Sequence, residues 1–176
     1  MIDFLKKIDI KILNFINAHF KNNFLDKMMP FITVFGDMGF IWIVLAVVLM
    51  TKQKYREMGV VIILALIFTT IMGEGVIKNL VKRKRPFTNN IKDNALLIRK
   101  PITYSFPSGH TASSFAVAGV FIAYESSLSI YITILAVLIT FSRLYLNVHY
   151  PSDVLFGGIL GMVCSFIITY ICLRVM

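Results

Sequence analysis

The sequence predicts an all-α fold, a polytopic bundle of membrane helices, and three observations lead there. Hydrophobic residues make up 57% of the 176 positions and charged residues only 15%, where a soluble domain carries about 25% charged residues. Several apolar runs reach the roughly 20 residues that cross a bilayer core. Polar and basic residues gather at the ends of those runs instead of being spread between them. The length suits one domain, residues 1–176. Five spans are expected, or six if residues 2–20 also cross.

Residues 2–20 mix apolar and charged positions. Phe4, Leu5, Ile8, Ile12, Phe15 and Ile16 recur at helical spacing, and Lys7, Lys11 and Asn14 fall on another face. This pattern predicts an amphipathic helix lying in the interface, with lysines toward headgroups. The next run is expected to start as a short helix capped by Asn22 or Asn23. The "GDMG" at 36–39 should kink or break it before the apolar stretch from Phe40 to Met50. Residues 51–57 form a short basic loop. Residues 58–77 are membrane-length, with Glu74 as the one charged position. Residues 79–106 are the one sizeable polar segment. Pro86 and Pro101 argue there against a continuous helix and for a loop or lid. Residues 128–148 and 154–173 complete the spans, with a shorter run from Thr111 to Tyr124 that the preceding "PSGH" extends.

Net charge is +9, and eight of the 18 Lys and Arg fall between Lys78 and Lys100. These basic segments abut spans and no nucleic-acid motif appears. Anionic headgroups or phosphates are therefore the expected partners, not nucleic acid. If the 51–57 loop is cytoplasmic under the positive-inside rule, residues 79–106 lie outside. The many outside cations then contradict that rule unless they have another task. Cys164 and Cys172, eight positions apart in the last span, are expected to be small apolar fillers. No cleavable signal peptide is expected.

Three polar clusters sit at span ends on one expected side. The first is Lys78 with Arg85 and Pro86. On a continuous helix, Lys78 and Arg85 would share a face, about 10.5 Å apart along the axis. The second is Pro107, Ser108, Gly109 and His110. The third is Ser142, Arg143, His149 and Asp153. Taken singly, each has an ordinary reading. Basic residues anchor a span, Pro107 opens a helix, and "HYPSD" begins another with Asp153 near the positive end of the macrodipole. Together they put two histidines, three cations and one carboxylate at one interface, where ionisable residues are functional candidates by default. Lys78, Arg85 and Arg143 suit a phosphate. Ser108 and the N–H groups near Gly109 suit an anion at a helix N-terminus. His149 and His110 can divide nucleophile and acid roles, with Asp153 orienting His149. A metal site is the competing use of two histidines and one aspartate. The surrounding cations disfavour a divalent ion.

At these residues the sequence resembles the type 2 phosphatidic acid phosphatase superfamily, the lipid phosphate phosphatases. The family pattern K-x6-RP, PSGH and SR-x5-H-x3-D is matched by Lys78–Arg85–Pro86, Pro107–His110 and Ser142–Arg143–His149–Asp153, with every spacing intact. The resemblance implies that His149 attacks phosphorus to form a phosphohistidine, that Asp153 orients it, and that His110 protonates the leaving oxygen. It assigns Lys78, Arg85, Ser108, Gly109 and Arg143 to the phosphoryl oxygens and implies no metal and no cofactor. The outside cations would then be active site and rim, so residues 79–106 would be an extracytoplasmic active-site loop. The N-terminal stretch "FINAHFKNNFLDKMMPFIT" is similar to small bacterial undecaprenyl pyrophosphate phosphatases of the bacitracin-resistance type. That implies a lipid phosphate substrate at the bacterial cytoplasmic membrane, with membrane lipids as surroundings. Undecaprenyl pyrophosphate is the first expectation, and phosphatidylglycerophosphate or phosphatidate the second. A lipid scramblase and a vanadate-dependent oxidase are the other classes considered. The first has no need of a nucleophile and its orienter, and known examples of the second are larger and soluble.

Overall fold

Eight α-helices carry the fold in a computed structural model that describes residues 2–88 and 96–175. They are α1 (Ile2–His19), α2 (Asn23–Val34), α3 (Phe40–Met50), α4 (Arg56–Thr70), α5 (Lys78–Val81), α6 (Gly109–Ala123), α7 (Ser129–Tyr145) and α8 (Pro151–Val175). No strand interrupts them among the described residues, so the expected all-α class is what forms. The α4–α5 stretch and α8 are long and apolar enough to cross a membrane. A third span results if α2 and α3 count as one, bent by 43°. Helices α6 and α7 are apolar but shorter, at 15 and 17 residues.

Helix α1 is amphipathic, as the pattern predicts, but its faces have different partners from those expected. Asp9, Leu13 and Ile16 are buried against the protein. Leu5, Ile8, Ile12 and Phe15 stay exposed. Ile16 therefore leaves the outward apolar face to which its spacing assigned it. The side chain of Phe4 lies outside the described residues. Asn22 caps α2, its side chain accepting from the Leu25 N–H at 2.9 Å. The break at 36–39 is real. It is a 3-10 turn over Asp37–Gly39 in which Met38 (φ 52°) and Gly39 (φ 68°) are both left-handed.

The fourth segment is longer than the 58–77 run. It begins at Arg56, passes through a π-helical stretch at Ile71–Ile77, and ends at Val81 because Lys82 turns left-handed (φ 49°). Arg85 lies beyond that end. Lys78 and Arg85 therefore do not share one helix face, and Arg85 reaches the site from a loop. The 79–106 segment contains the end of α5, a 3-10 turn at Pro86–Thr88 and irregular backbone from 96 onward. Residues 89–95 of it lie outside the described residues. Pro107 does not open α6. Ser108 is the cap residue and Gly109 the first helical one. Pro151 does stand first in α8.

Helices α6 and α8 pack most closely. A Cβ on Gly161 would fall on the Ala112 carbonyl, and one on Gly157 would lie 2.7 Å from the Ser108 carbonyl. Small residues allow this backbone approach, the usual basis of helix contact in lipid. Trp42 of α3 donates to Ser114 of α6 at 3.1 Å. Cys164 and Cys172 are free and buried, which suits a filling role. The result holds the starts of α6 and α8 and the end of α7 together at one end of the bundle.

Candidate active site

The three clusters meet in one cavity of about 1,410 Å³. Lys78, Arg85, Gly109, His110, Arg143 and His149 all line it. Ile43, Ile63, Leu66 and Ile67 extend the same cavity as an apolar cleft between α3 and α4. Ser108 and Asp153 stand behind the wall, both fully buried. The Thr111 hydroxyl donates to Ser108 Oγ at 3.0 Å, and the Ser108 N–H donates to the Asp153 carbonyl at 3.1 Å. Ser108 thus links α6 to α8, and its hydroxyl does not cap α6.

His149 sits in the link between α7 and α8, only 2% exposed. Its Nδ1 is 2.7 Å from the Ser105 carbonyl. A carbonyl only accepts, so Nδ1 carries the proton. Its Nε2 is 3.2 Å from Arg85 Nη1, which only donates, so Nε2 presents its lone pair. Asp153 Oδ2 stands 3.7 Å from Nδ1, an ionic contact rather than the direct hydrogen bond expected from the four-residue spacing. The Asp153 carboxylate accepts instead from Ser105 Oγ at 2.5 Å, the Tyr150 N–H at 2.8 Å and Arg83 Nη1 at 2.7 Å. Asp153 therefore fixes the Ser105 segment, and the Ser105 carbonyl fixes the imidazole. Burial pulls the His149 pKa down to about 3. Asp153 opposes that, and Arg143 and Arg85 add to it. A neutral imidazole with an available Nε2 is the form a nucleophile needs.

The cations are built in. Lys78 is buried and pairs with Glu74 at 2.5 Å. Glu74 lies in the π-helical stretch, a feature found often at functional sites. Its carboxylate comes so close to Gly109 that a Cβ there would sit 2.5 Å from Oε1. Arg85 is clasped by the Thr103 carbonyl at 2.8 Å and the Val148 carbonyl at 2.8 Å. Arg143 is buried and donates from Nη1 to Thr33 of α2. Its Nε has no partner among the described residues, a buried donor suited to an anion. His110 Nε2 is 2.7 Å from Asp37 Oδ1.

Several of these partners were not found by sequence reasoning. Asp37 was visible only as part of a helix break, and Glu74 only as a charged blemish in an apolar run. Arg83 is one of four consecutive basic residues, and nothing local separates it from Lys82 or Lys84. In the structure it bridges Asp153 and Asp9 of α1, the latter at 2.7 Å, and its guanidinium lies 4.1 Å from the Tyr150 ring centroid. Asp9 also accepts from the N–H and hydroxyl of Ser152, at 2.9 and 2.6 Å. Among the described residues, no group of three His, Cys, Asp or Glu side chains has metal-binding geometry.

Comparison with known proteins places this geometry in a family. Residues 54–175 match the PAP2 superfamily model. The chain is 33% identical over 145 residues to an undecaprenyl-diphosphatase of Sulfolobus acidocaldarius, covering 81% of this chain and 68% of that protein. It is 32% identical to a lipid A 4'-phosphatase of Bacteroides thetaiotaomicron, covering 92% and 75%. The crystal structure of Aquifex aeolicus LpxE superposes with a TM-score of 0.80 at 28% identity, over 93% of this chain and 95% of that one. The motifs, the helical fold and the relatives agree, and the chain belongs to the PAP2 superfamily as a membrane phosphatase.

Proposed function

We propose that the protein removes the terminal phosphate of undecaprenyl pyrophosphate, giving undecaprenyl phosphate and inorganic phosphate. One observation carries the reading. Two histidines and three cations line a single cavity whose other half is an apolar cleft. A phosphate headgroup suits the first half and a lipid chain the second. The undecaprenyl-diphosphatase relative supports this choice of lipid.

In this reading His149 Nε2 attacks the terminal phosphorus, and the bond from phosphorus to the lipid-side oxygen breaks. His110 gives that oxygen a proton. Water then attacks the phosphohistidine, the P–N bond breaks, and His110 takes a proton from the water. Lys78, Arg85, Arg143 and the α6 N–H groups at Gly109 stabilise the phosphoryl oxygens, in the manner of preorganised charge in other phosphoryl transfers. Ser108 and Asp153 act from behind the wall, by holding Gly109 and Ser105. Residues 1–176 form one integral-membrane domain of five spans, with α1 at the interface. The 79–106 segment faces the outside of a bacterial cytoplasmic membrane.

The test is phosphate release by purified protein in detergent with EDTA. The lipids are undecaprenyl pyrophosphate, phosphatidylglycerophosphate, phosphatidate and lipid A. Undecaprenyl pyrophosphate is expected to have the highest kcat/KM, and His149→Ala to lower it at least about 1,000-fold. A larger kcat/KM for any other lipid overturns the substrate, and an active His149→Ala overturns the nucleophile.

A further inference from the structure

His110 has a partner that the three motifs do not contain. Asp37 lies 73 positions away in sequence, yet its Oδ1 is 2.7 Å from His110 Nε2. Both residues line the cavity that holds His149. No described residue bonds His110 Nδ1. We propose that Asp37 is the positioning residue of His110: it holds the imidazole through Nε2 and leaves Nδ1 to exchange the proton with the leaving oxygen.

The local backbone is built for this contact. Asp37 follows Gly36, where a Cβ would lie 2.6 Å from His110 Cδ2 and 2.9 Å from Ile139 Cγ2. Only glycine lets the end of α2 press against the imidazole edge. Asp37 precedes two left-handed residues, one of which is Met38. A non-glycine residue there is strained, and such strain persists where the surroundings enforce it, often at functional sites. The break between α2 and α3 thus turns a carboxylate into the cavity at the level of the first turn of α6.

Charge balance gives the contact its use. The charged groups facing His110 are Asp37 from the break and Arg143 from α7. Arg85 faces it from the loop, and the Glu74–Lys78 pair from the stretch beside Gly109. Lys78 and Glu74 offset one another, which leaves two arginines. An imidazolium beside two arginines needs a counter-charge, and Asp37 supplies it at hydrogen-bond distance. The proton inventory closes. Nδ1–H is given to the bridging oxygen as the P–O bond breaks, and Nδ1 recovers a proton from the water that cleaves the P–N bond. Nε2–H stays with Asp37 throughout.

This inference rests on the acid role of His110, and the experiment separates the two. Turnover of phosphatidate, whose alkoxide leaving group needs a proton, is compared with that of p-nitrophenyl phosphate, whose leaving group needs little help. His110→Gln should lower kcat on phosphatidate by about 100-fold or more and on p-nitrophenyl phosphate far less. Asp37→Asn should show the same selectivity in smaller measure with little change in KM, and Asp37→Glu should restore part of it. A non-selective His110→Gln sinks the acid role. A selective His110→Gln beside an equal loss, or no loss, in Asp37→Asn sinks only the present inference. The unmodified chain offers a second readout, because it has three histidines that can be 15N-labelled. Neutral His110 is expected as the Nε2–H tautomer, and an Nδ1–H tautomer overturns the proposal.

Discussion

His149, the proposed nucleophile, shows what burial does to an imidazole. In water an imidazole is half protonated at about pH 6.5. Here burial pulls that point to about 3, so the lone pair survives well into acid. The sign for stability follows from linkage. Between those two values the unfolded chain binds a proton at this residue and the folded chain does not. Its contribution to stability therefore falls as pH drops from about 6.5 toward 3. Thermal melts in detergent should show Tm decreasing over that window, and His149→Gln should flatten the decrease. Equal slopes would mean that other groups set the acid sensitivity. The motif positions themselves were legible in the sequence, because His, Arg and Lys are conspicuous among apolar runs. Their bonding was not. The spacing gave Asp153 the His149 hydrogen bond that Ser105 in fact takes, since a backbone carbonyl leaves no trace in residue type.

At the scale of elements, the site depends on how closely α6 and α8 approach. Gly157 meets the Ser108 carbonyl at the start of α6, and Gly161 the Ala112 carbonyl about one turn further along. Gly161→Ala forces the helices apart, an overpacking that costs about 1–3 kcal/mol. It should lower both Tm and kcat, because the starts of the two helices move relative to each other. Gly75 is the control, as an added Cβ there meets nothing within 4 Å. Gly75→Ala should leave Tm and kcat near wild type, and a Tm loss equal to that of Gly161→Ala would refute the packing argument. Helix periodicity and hydropathy made these elements legible almost to their ends. The shared helix face considered for Lys78 and Arg85 does not form because Lys82 adopts a left-handed turn, a conformation its side chain does not announce.

Across the whole molecule, Arg83 ties distant parts of the chain together. It bonds Asp9 of α1 and Asp153 of α8 at 2.7 Å each, and both carboxylates are buried. Arg83→Met strands two buried negative charges, and breaking such an arrangement costs about 3–5 kcal/mol. The variant should melt lower and lose kcat. Asp9→Asn should restore part of the stability in the double variant, because it removes one stranded charge. A double variant no better than the single would show that the arginine acts only by packing on Tyr150. No sequence pattern pointed to this contact, since it exists only once α1 has docked on α8.

That contact also has a consequence for biosynthesis. The chain is made from its N-terminal side, so Asp9 and Arg83 exist well before Ser152 and Asp153. Arg83 and Asp9 can pair with each other, but the clasp with Ser152 closes only when α8 has been delivered into the bilayer. The same helix start brings Asp153, with His149 just ahead of it. In the proposed mechanism, a chain in which α8 has not yet been inserted holds Lys78 and Arg85 of its middle but lacks a positioned nucleophile. Assembly of the reactive centre thus waits on the insertion of α8.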